Sequence, residues 1–264
     1  MWKGQTLNPR GSEMKLIHGD CLSEMPKIED KSIDMILCDL PYGTTACKWD
    51  TIIPFEPLWK EYKRLIKDNG AIVLTASQPF TSALVMSNQK MFKYEWIWEK
   101  NRGSNFATVK YQPFKEHENV LVFGGSFYKP ILETRSESGK SRVKTPIKSN
   151  TTGSESFNLK SYGESKKYFE LRYPRSIQKF NTEVGLHPTQ KPVALMEYLI
   201  KTYTNEGDTV LDNCMGSGTT GVACKNLSRN FIGIEIDKKY FDIAEERIRC
   251  GETLNREGLE RMML

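Results

Sequence analysis

The segment TVLDNCMGSGTTG, residues 209–221, decides how we interpret this chain. Thr209–Asp212 has the composition of a short strand, and the glycine-rich stretch Gly216–Gly221 follows it and opens a helical pattern. Glycines allow a backbone to pass close beneath a ligand, and free N–H groups at a helix start favour a carboxylate or a phosphate. Alone, such a turn is a weak signal, because a tight structural turn is its commoner explanation.

The next strand supports a nucleotide-binding interpretation of this turn. A strand predicted over Phe231–Ile236 places Glu235 near its carboxyl end, where an acid can accept hydrogen bonds from both hydroxyls of a ribose. This pattern does not distinguish a dinucleotide from S-adenosylmethionine (SAM). The cofactor-binding residues predicted here are Asp212, Met215, Gly216, Ser217, Gly218, Thr219 and Glu235.

Short apolar runs alternate with helical patterns along most of the chain, which is typical of a doubly wound, mostly parallel α/β sheet. Strands are predicted at Lys15–Asp20, Ile33–Asp39, Ala71–Ser77, Tyr94–Glu99, Asn119–Phe123, Thr209–Asp212 and Phe231–Ile236. Helices, with apolar residues at i, i+3 and i+4, are predicted at Pro57–Lys67, Gln78–Ser87, Pro192–Thr204, Thr219–Leu227 and Lys238–Cys250. Because the glycine turn comes late in the chain, the strands that precede it must supply the rest of the sheet.

A second motif, Asp39–Leu40–Pro41–Tyr42, follows the apolar strand Ile33–Asp39. Ligands bind at the carboxyl ends of the strands in open α/β sheets. An exocyclic base amine is a poor nucleophile because its lone pair is delocalised into the ring. The Asp39 carboxylate can accept one amine hydrogen and the Leu40 carbonyl the other, which localises that lone pair. Pro41 fixes the local φ, and Tyr42 offers a ring on which an extruded base can stack. In isolation, an ordinary Asp-x-Pro turn explains the motif as well.

The order of these motifs resembles the beta group of exocyclic-amine DNA methyltransferases, in which the amine-methylating motif precedes the SAM motif. Their tetrapeptide usually begins Asp-Pro-Pro-Tyr, from which Asp39–Tyr42 differs only at Leu40. The resemblance implies a Rossmann-like, seven-stranded, circularly permuted sheet with an inserted target-recognition region, SAM as the cofactor and base flipping in double-stranded DNA. It favours adenine N6 over cytosine N4, because relatives that modify cytosine more often begin the tetrapeptide with Ser.

The resemblance also implies roles for residues to which the composition alone assigns none. His187–Pro192 is similar to the family segment beside the cofactor, which makes Thr189 and Lys191 expected contacts of the cofactor's carboxylate side. Asp20 resembles the acid that meets the cofactor's adenine, with a turn residue as the alternative. Asn105 and Phe106 resemble the segment that flanks the target base, with a buried aromatic as the alternative for Phe106.

Positive charge is concentrated in one segment. The chain carries a net charge of +5, and residues 126–186 contain twelve Lys or Arg against six Asp or Glu, which leaves the remainder at −1. This segment lies where the family places target recognition, and DNA phosphates attract such a surplus. The DNA contacts predicted from it are Lys140, Arg142, Lys144, Lys148, Arg172 and Arg175. A solvated surface insertion is the alternative.

The chain divides into five expected segments. They are a tag or alternative start over 1–13, the catalytic half of the core over 14–124, the target-recognition region over 125–186, the cofactor-binding half over 187–250 and a tail over 251–264. Members of the resembling family often dimerise, so a homodimer is one possible state of this chain. The sequence does not indicate whether a restriction endonuclease is a partner.

The bulk composition is that of a globular protein, with 38% hydrophobic and 27% charged residues. We expect a cytoplasmic protein without a membrane span, because no export signal or long apolar run is evident. The six cysteines form no C-x-x-C pair and no zinc-like cluster with the histidines, so we expect reduced thiols and no metal site.

Two other functional classes remain open at this level. A dinucleotide-dependent oxidoreductase can use the same glycine turn, although it leaves Asp39–Tyr42 and the basic segment without a purpose. A non-catalytic DNA-binding relative can keep the fold, although Asp39, Pro41, Tyr42, Gly216, Gly218 and Glu235 are all retained.

Overall fold

A computed structural model describes residues 5–7, 11–44, 50–144, 170–183 and 190–250. The chain forms two compact units, a catalytic unit over 1–129 and 176–264 and an inserted unit over 130–175. None of the described helices is both long and apolar enough to cross a membrane. The strands of the catalytic unit are β1 Gln5–Leu7, β2 Glu13–His18, β3 Ile33–Asp39, β4 Ile66–Ala76, β5 Phe92–Glu99, β6 His117–Gly124, β9 Ile177–Lys179, β10 Thr209–Asp212 and β11 Asn230–Glu235. Its α-helices are α1 Cys21–Glu24, α2 Phe55–Leu65, α3 Phe80–Ser87, α5 Val193–Tyr203, α6 Thr219–Asn226 and α7 Lys238–Cys250.

Within the described residues the sheet has nine strands, in the order β1-β2-β11-β10-β3-β4-β6-β5-β9. The central strands β2, β11, β10, β3 and β4 run parallel, β6 runs antiparallel to β4 and β5, and the edge strand β1 runs antiparallel to β2. The late strand β10 lies beside β3, with Val210 opposite Met35 and Leu211 opposite Ile36. The permuted connectivity therefore brings the strand before the glycine turn next to the strand that ends at Asp39.

The sheet is covered on both faces because its central strands are apolar on both sides. Successive residues of β3 point to opposite faces. Met35 and Leu37 belong to the core layer that also contains residues of α5, α6 and α7, whereas Ile36 and Cys38 belong to the layer with α2 and α3. In α2, Leu58, Trp59, Tyr62 and Leu65 are buried at helical spacing, which gives the helix its apolar face.

The seven predicted strands and five predicted helices are all present, with ends that differ by a few residues. The fold class is confirmed, but the expected count of seven strands is wrong. The edge strands β1 and β9 are too short for a sequence pattern to reveal. β1 also brings Gln5–Leu7, which the sequence analysis left out of the core, into the sheet. Helix α2 ends at Leu65 rather than Lys67, because Ile66 and Lys67 already begin β4.

The inserted unit covers residues 130–175 of the predicted region of 125–186, and residues 125–129 and 176–183 belong to the catalytic unit. Its described elements are β7 Glu133–Thr134, α4 Glu137–Lys144 and β8 Leu171–Arg172, with β7 and β8 antiparallel. Several predicted DNA contacts have partners inside this unit. Arg172 pairs with Glu133 at 2.8 Å across the two strands, and Lys140 pairs with Glu137 at 2.8 Å.

The other predicted DNA contacts are described less fully. Arg175 is exposed, and Arg142 and Lys144 lie in α4. Lys148 lies outside the described residues. The role of this unit in DNA binding therefore stays a prediction.

Candidate active site

The carboxyl ends of the parallel strands meet at one edge of the sheet, where a single cavity of about 1170 Å³ opens. Both sequence motifs contribute to its wall. The predicted site residues that line it are Asp20, Asp39, Leu40, Pro41, Tyr42, Asn105, Lys191, Asp212, Met215, Gly216, Ser217, Thr219 and Glu235. Ligand pockets of about 300–1,000 Å³ hold one small molecule. This cavity is therefore at least as large as a typical small-molecule site.

Asp39 lies at the end of β3, and three described donors reach its carboxylate. Tyr42 donates its hydroxyl to Asp39 Oδ1 at 2.7 Å, and the hydroxyl of Thr75 donates to the same oxygen. Lys191 donates from Nζ to Asp39 Oδ2 at 2.6 Å. Thr75 stands directly opposite Asp39 on the neighbouring strand β4 and is fully buried. A carboxylate accepts about four hydrogen bonds, so the described residues leave one acceptor position on Oδ2.

Lys191 is held between two carboxylates. Its Nζ lies between Asp39 and Glu118, 3.3 Å from Glu118 Oε2, and its predicted contact with the cofactor's carboxylate side stays a prediction. Lys100 forms an ion pair with the other oxygen of Glu118. Burial alone would lower the pKa of Lys191, but the Asp39 and Glu118 carboxylates raise it above its ordinary value. The lysine therefore remains a cation beside Asp39.

The sequence pattern did not predict the roles of Thr75, Glu118 and Lys100. A threonine within an apolar strand is a weak signal for Thr75. Glu118 lies near the start of β6, and only the antiparallel direction of that strand brings its first residues to the edge where the parallel strands end.

The remaining tetrapeptide residues surround Asp39. The Tyr42 ring stacks on Phe80 with centroids 5.1 Å apart, and Lys191 Nζ lies 5.6 Å from the Tyr42 ring. Burial, and to a smaller extent the negative charge of Asp39, raises the pKa of Tyr42 well above its ordinary value. The Tyr42 hydroxyl therefore keeps its proton and donates it in hydrogen bonds. The Leu40 side chain is buried in the core, which agrees with a role for its backbone.

The loop after the tetrapeptide is held by Asp50, which the sequence analysis did not single out. Its carboxylate accepts hydrogen bonds from the backbone N–H groups of Gly43 at 2.8 Å and Thr44 at 2.9 Å. Gly43 has a φ of +68°, a conformation that favours glycine. These contacts fix the chain just beyond Tyr42.

The glycine turn has backbone conformations that favour glycine. Gly216 and Gly218 have φ values of +51° and +81°, and a Cβ at Gly218 would lie 2.9 Å from the Cβ of Ala244. The carboxylate of Glu235, at the end of β11, accepts from Gly216 N at 2.8 Å and from Asp237 N at 2.8 Å. Burial raises the pKa of Glu235, while these two backbone donors oppose the change. Glu235 thereby ties the turn to the next strand.

Asp212, the last residue of β10, holds the glycine turn through two hydrogen bonds. Its carboxylate accepts from Thr220 Oγ1 at 2.7 Å and from Cys214 N at 3.1 Å. Burial raises the pKa of Asp212 to about 7, although both hydrogen bonds oppose that shift. A group so enclosed orients the backbone of the turn, and its residue also lines the cavity.

Arg247 of α7, absent from the sequence predictions, holds the turn from the other side. Its Nη1 donates to the Ser217 carbonyl at 2.6 Å and lies 2.9 Å from Ser217 Oγ, and this hydroxyl donates to Gln190 at 3.0 Å. Met215 packs against Gly233, where a Cβ would lie 2.3 Å from the Met215 sulfur. Ser217 and Met215 are therefore fixed by packing as well as by backbone conformation.

A cluster of thiols lies beside the turn. Cys214 lies beside Cys21 of α1 and Cys38 of β3. Burial raises the pKa of Cys38 to about 12. The described cysteines are free thiols, as the sequence analysis predicted.

Asp20 and Thr189 complete the predicted cofactor residues. Asp20 lines the cavity and also caps α1, where its Oδ1 accepts from Ser23 N at 3.0 Å. Its role as a turn residue is therefore established, and its role toward a cofactor stays a prediction. Thr189 lies outside the described residues.

The two residues predicted beside the target base lie in different surroundings. Asn105 lines the cavity, and its side chain bridges Pro113 O at 3.0 Å and Lys115 N at 2.7 Å. Phe106 is not among the lining residues and is 81% exposed, which excludes the alternative of a buried aromatic. Phe114 lines the cavity instead.

The chain matches a family of known proteins. A family model of N6/N4 methyltransferases, described as a DNA methylase, matches residues 33–246. The chain belongs to the N6/N4 DNA methylase family. Type II methyltransferase M.HpaI of Haemophilus parainfluenzae is 30% identical over 261 residues, which cover 89% of this chain and 74% of that protein. Type II methyltransferase M2.LlaDCHI of Lactococcus lactis subsp. cremoris is 29% identical and covers 90% of both chains.

Solved structures agree with this membership of the N6/N4 DNA methylases. M1.HpyAVI in complex with SAM is 28% identical, with a TM-score of 0.58 over 89% of this chain and 99% of that one. The cytosine-N4-specific PvuII DNA methyltransferase has a TM-score of 0.64 over 98% and 95% of the two chains. At 16% identity its likeness shows the fold alone.

Membership of the N6/N4 DNA methylases confirms the resemblance on which the sequence predictions depended. The chain is an enzyme of DNA methylation, and the oxidoreductase alternative is wrong. The matched residues include both motifs, Asp39–Tyr42 and Gly216–Gly221.

Proposed function

We propose that this DNA methyltransferase transfers a methyl group from SAM to the N6 amine of an adenine in double-stranded DNA, at a specific sequence, after the adenine has left the helix. The observation that carries the proposal is that the Asp39 carboxylate and the glycine turn line the same cavity. A base inside a duplex cannot reach an enclosed carboxylate, so it must be everted.

The described residues fit SAM at the glycine turn. The close contacts at Gly218 and Gly233 leave no space for a side chain beneath the turn. Glu235 is a hydrogen-bond acceptor beside the turn, and Asp20 lines the cavity after β2, the strand that neighbours β11. When bound, SAM would supply an electrophilic methyl group on a sulfonium, and loss of that methyl group would leave the thioether S-adenosylhomocysteine.

The residues around Asp39 are suited to activate an amine. Thr75, Tyr42 and Lys191 hold the carboxylate in one orientation and leave one acceptor position on Oδ2. That oxygen accepts one hydrogen of the amine, and the Leu40 carbonyl accepts the other. The nitrogen lone pair is thereby directed away from the ring as the new N–C bond forms. Asp39 also lies where it can take the proton that the methylated amine must lose.

The inserted unit and the rest of segment 125–186 supply DNA recognition in this proposal. Their surplus of Lys and Arg neutralises phosphates, which positions the duplex without specifying bases.

The test is to incubate the purified protein with SAM and genomic DNA, digest the DNA to nucleosides and identify the product by mass spectrometry. N6-methyladenine is expected with the wild type and is expected to be absent with Asp39→Ala. N4-methylcytosine would contradict the choice of base, and unmodified DNA would contradict the activity. Single-molecule sequencing of DNA from expressing cells then gives the sequence context.

A further inference from the structure

The loop between β5 and β6 has two different sides. This rim loop, residues 101–116, contributes Ser104, Asn105 and Gln112 to the wall of the cavity that contains Asp39. Its other side presents aromatic rings to solvent, with Phe106 81% exposed and Tyr111 89% exposed. Two large rings so exposed within six residues are uncommon unless they serve an interaction.

The rim loop is held in a definite conformation. The Asn105 side chain ties its two halves together through Pro113 O and Lys115 N, and Lys115 Nζ donates to Ser77 Oγ after β4. The Phe114 ring fills the space beside Gly103, where a Cβ would lie 2.6 Å from it.

The exposed rings belong to an ordered turn at the tip of this loop. Thr108 N donates to Asn105 O at 2.9 Å, and Tyr111 N donates to Thr108 O at 2.9 Å. Phe106 and Tyr111 are therefore presented on an ordered backbone, and inserting them into a partner costs less conformational entropy than ordering a free chain.

The rim loop carries a net positive charge, which is complementary to the negative charge of DNA. Besides the acidic Glu116 at its end, the loop contains three basic residues. Two of them, Arg102 and Lys110, are exposed. Rings combined with cations are typical of surfaces that contact both bases and phosphates.

We propose that the rim loop is the element that opens the duplex, and that Phe106 and Tyr111 occupy the gap in the base stack when the target base enters the cavity. This inference rests on the proposed function. Eversion leaves unstacked neighbours, which costs a few kcal/mol, and apolar wedges are one way in which proteins offset that loss. The loop that forms part of the cavity wall then also fills the space that the base has left in the duplex.

The test compares wild type with Phe106→Ala and Tyr111→Ala on duplex oligonucleotides that carry the methylated site. One duplex is fully paired, and in a second the target adenine faces an abasic position. A third carries 2-aminopurine at the target, whose fluorescence rises when the base leaves the stack. Met86→Ala, which removes an exposed apolar side chain of α3 outside the loop, is the matched control.

On the paired duplex we expect both variants to methylate about ten- to a hundredfold more slowly and to give a smaller rise in fluorescence. On the duplex with the abasic position, where eversion is easier, the loss should shrink to less than about threefold. Met86→Ala should behave as wild type.

Wild-type rates and fluorescence for both variants on the paired duplex would overturn the inference. An equal loss on the paired and abasic duplexes would also overturn it, because it would indicate a role in shaping the cavity. A wild type that methylates neither duplex would contradict the proposed function itself.

Discussion

Lys191 Nζ lies 2.6 Å from Asp39 Oδ2, although 152 positions separate the two residues in the sequence. The contact joins the segment before α5 to the end of β3 and gives Asp39 a buried cationic partner. We infer that Lys191 positions Asp39, and its predicted contact with the cofactor stays a prediction.

This position predicts which kinetic constant Lys191 controls. Lys191→Met should lower kcat by about a hundredfold, because a misplaced carboxylate no longer orients the amine, while the Kd for SAM changes by less than about threefold. Methyl transfer at saturating SAM and calorimetric titration of SAM measure the two effects. Lys201→Met, an exposed position on the following helix, is the control. A raised Kd with an unchanged kcat would contradict a positioning role and would support the predicted contact of Lys191 with the cofactor.

Asp39→Asn should abolish most of the activity without preventing cofactor binding. The amide nitrogen cannot accept a hydrogen bond, so we expect methyl transfer to fall by at least about a hundredfold. Glu235→Gln is the matched comparison, since it should weaken SAM binding and leave kcat at saturating SAM nearly unchanged. Radiolabelled methyl transfer and SAM titration distinguish the two variants, and identical defects in both would contradict these assignments.

The enclosed Asp212 should make stability depend on pH. Its pKa rises from 3.8 to about 7 on folding. Between these values the folded protein holds a proton that the unfolded chain releases, so the free energy of unfolding should fall as pH rises from about 4 to about 7. Asp212→Asn should flatten this decline, as followed by denaturant titrations at several pH values. The exposed Asp242→Asn is the control, and an unchanged slope in the Asp212 variant would disprove the prediction.

Gly218 should tolerate a side chain less well than Gly207. Both have positive φ, +81° and +82°, but a Cβ at Gly218 meets Ala244 whereas nothing lies within 4 Å at Gly207. Gly207→Ala should cost about 1–2 kcal/mol of stability for its backbone alone. Gly218→Ala should cost more, and it should also weaken SAM binding. Denaturant unfolding and SAM titration measure both effects, and equal losses in the two variants would argue against a crowded turn.

The basic inserted segment should control the salt dependence of DNA binding. Replacing Lys140, Arg142 and Lys144 by Gln should reduce the slope of log K against log salt by about 2–3, because each neutralised phosphate contributes about 0.9. Fluorescence anisotropy with a labelled duplex measures this slope. The control replaces Lys60, Lys63 and Lys90, which are exposed on the catalytic unit. Full DNA affinity at low salt in the first variant would refute the assignment.

The sequence by itself determined the fold class, the main elements and the two motifs. Apolar runs such as Ile33–Asp39 and the glycine turn after Thr209–Asp212 are local signals, because strand composition, helical spacing and the need for positive φ are properties of neighbouring residues. The family resemblance added the predictions that SAM is the cofactor and that DNA is the substrate.

Only the tertiary structure decided which distant side chains complete the site. Thr75, Glu118 and Arg247 reach it through strand register, strand direction and helix packing, none of which a local pattern encodes. The same reason explains why the contact of Lys191 with Asp39 was not predicted. Its charge was visible in the sequence, but the nearest opposite charge is set by the pairing of strands that are far apart in the chain.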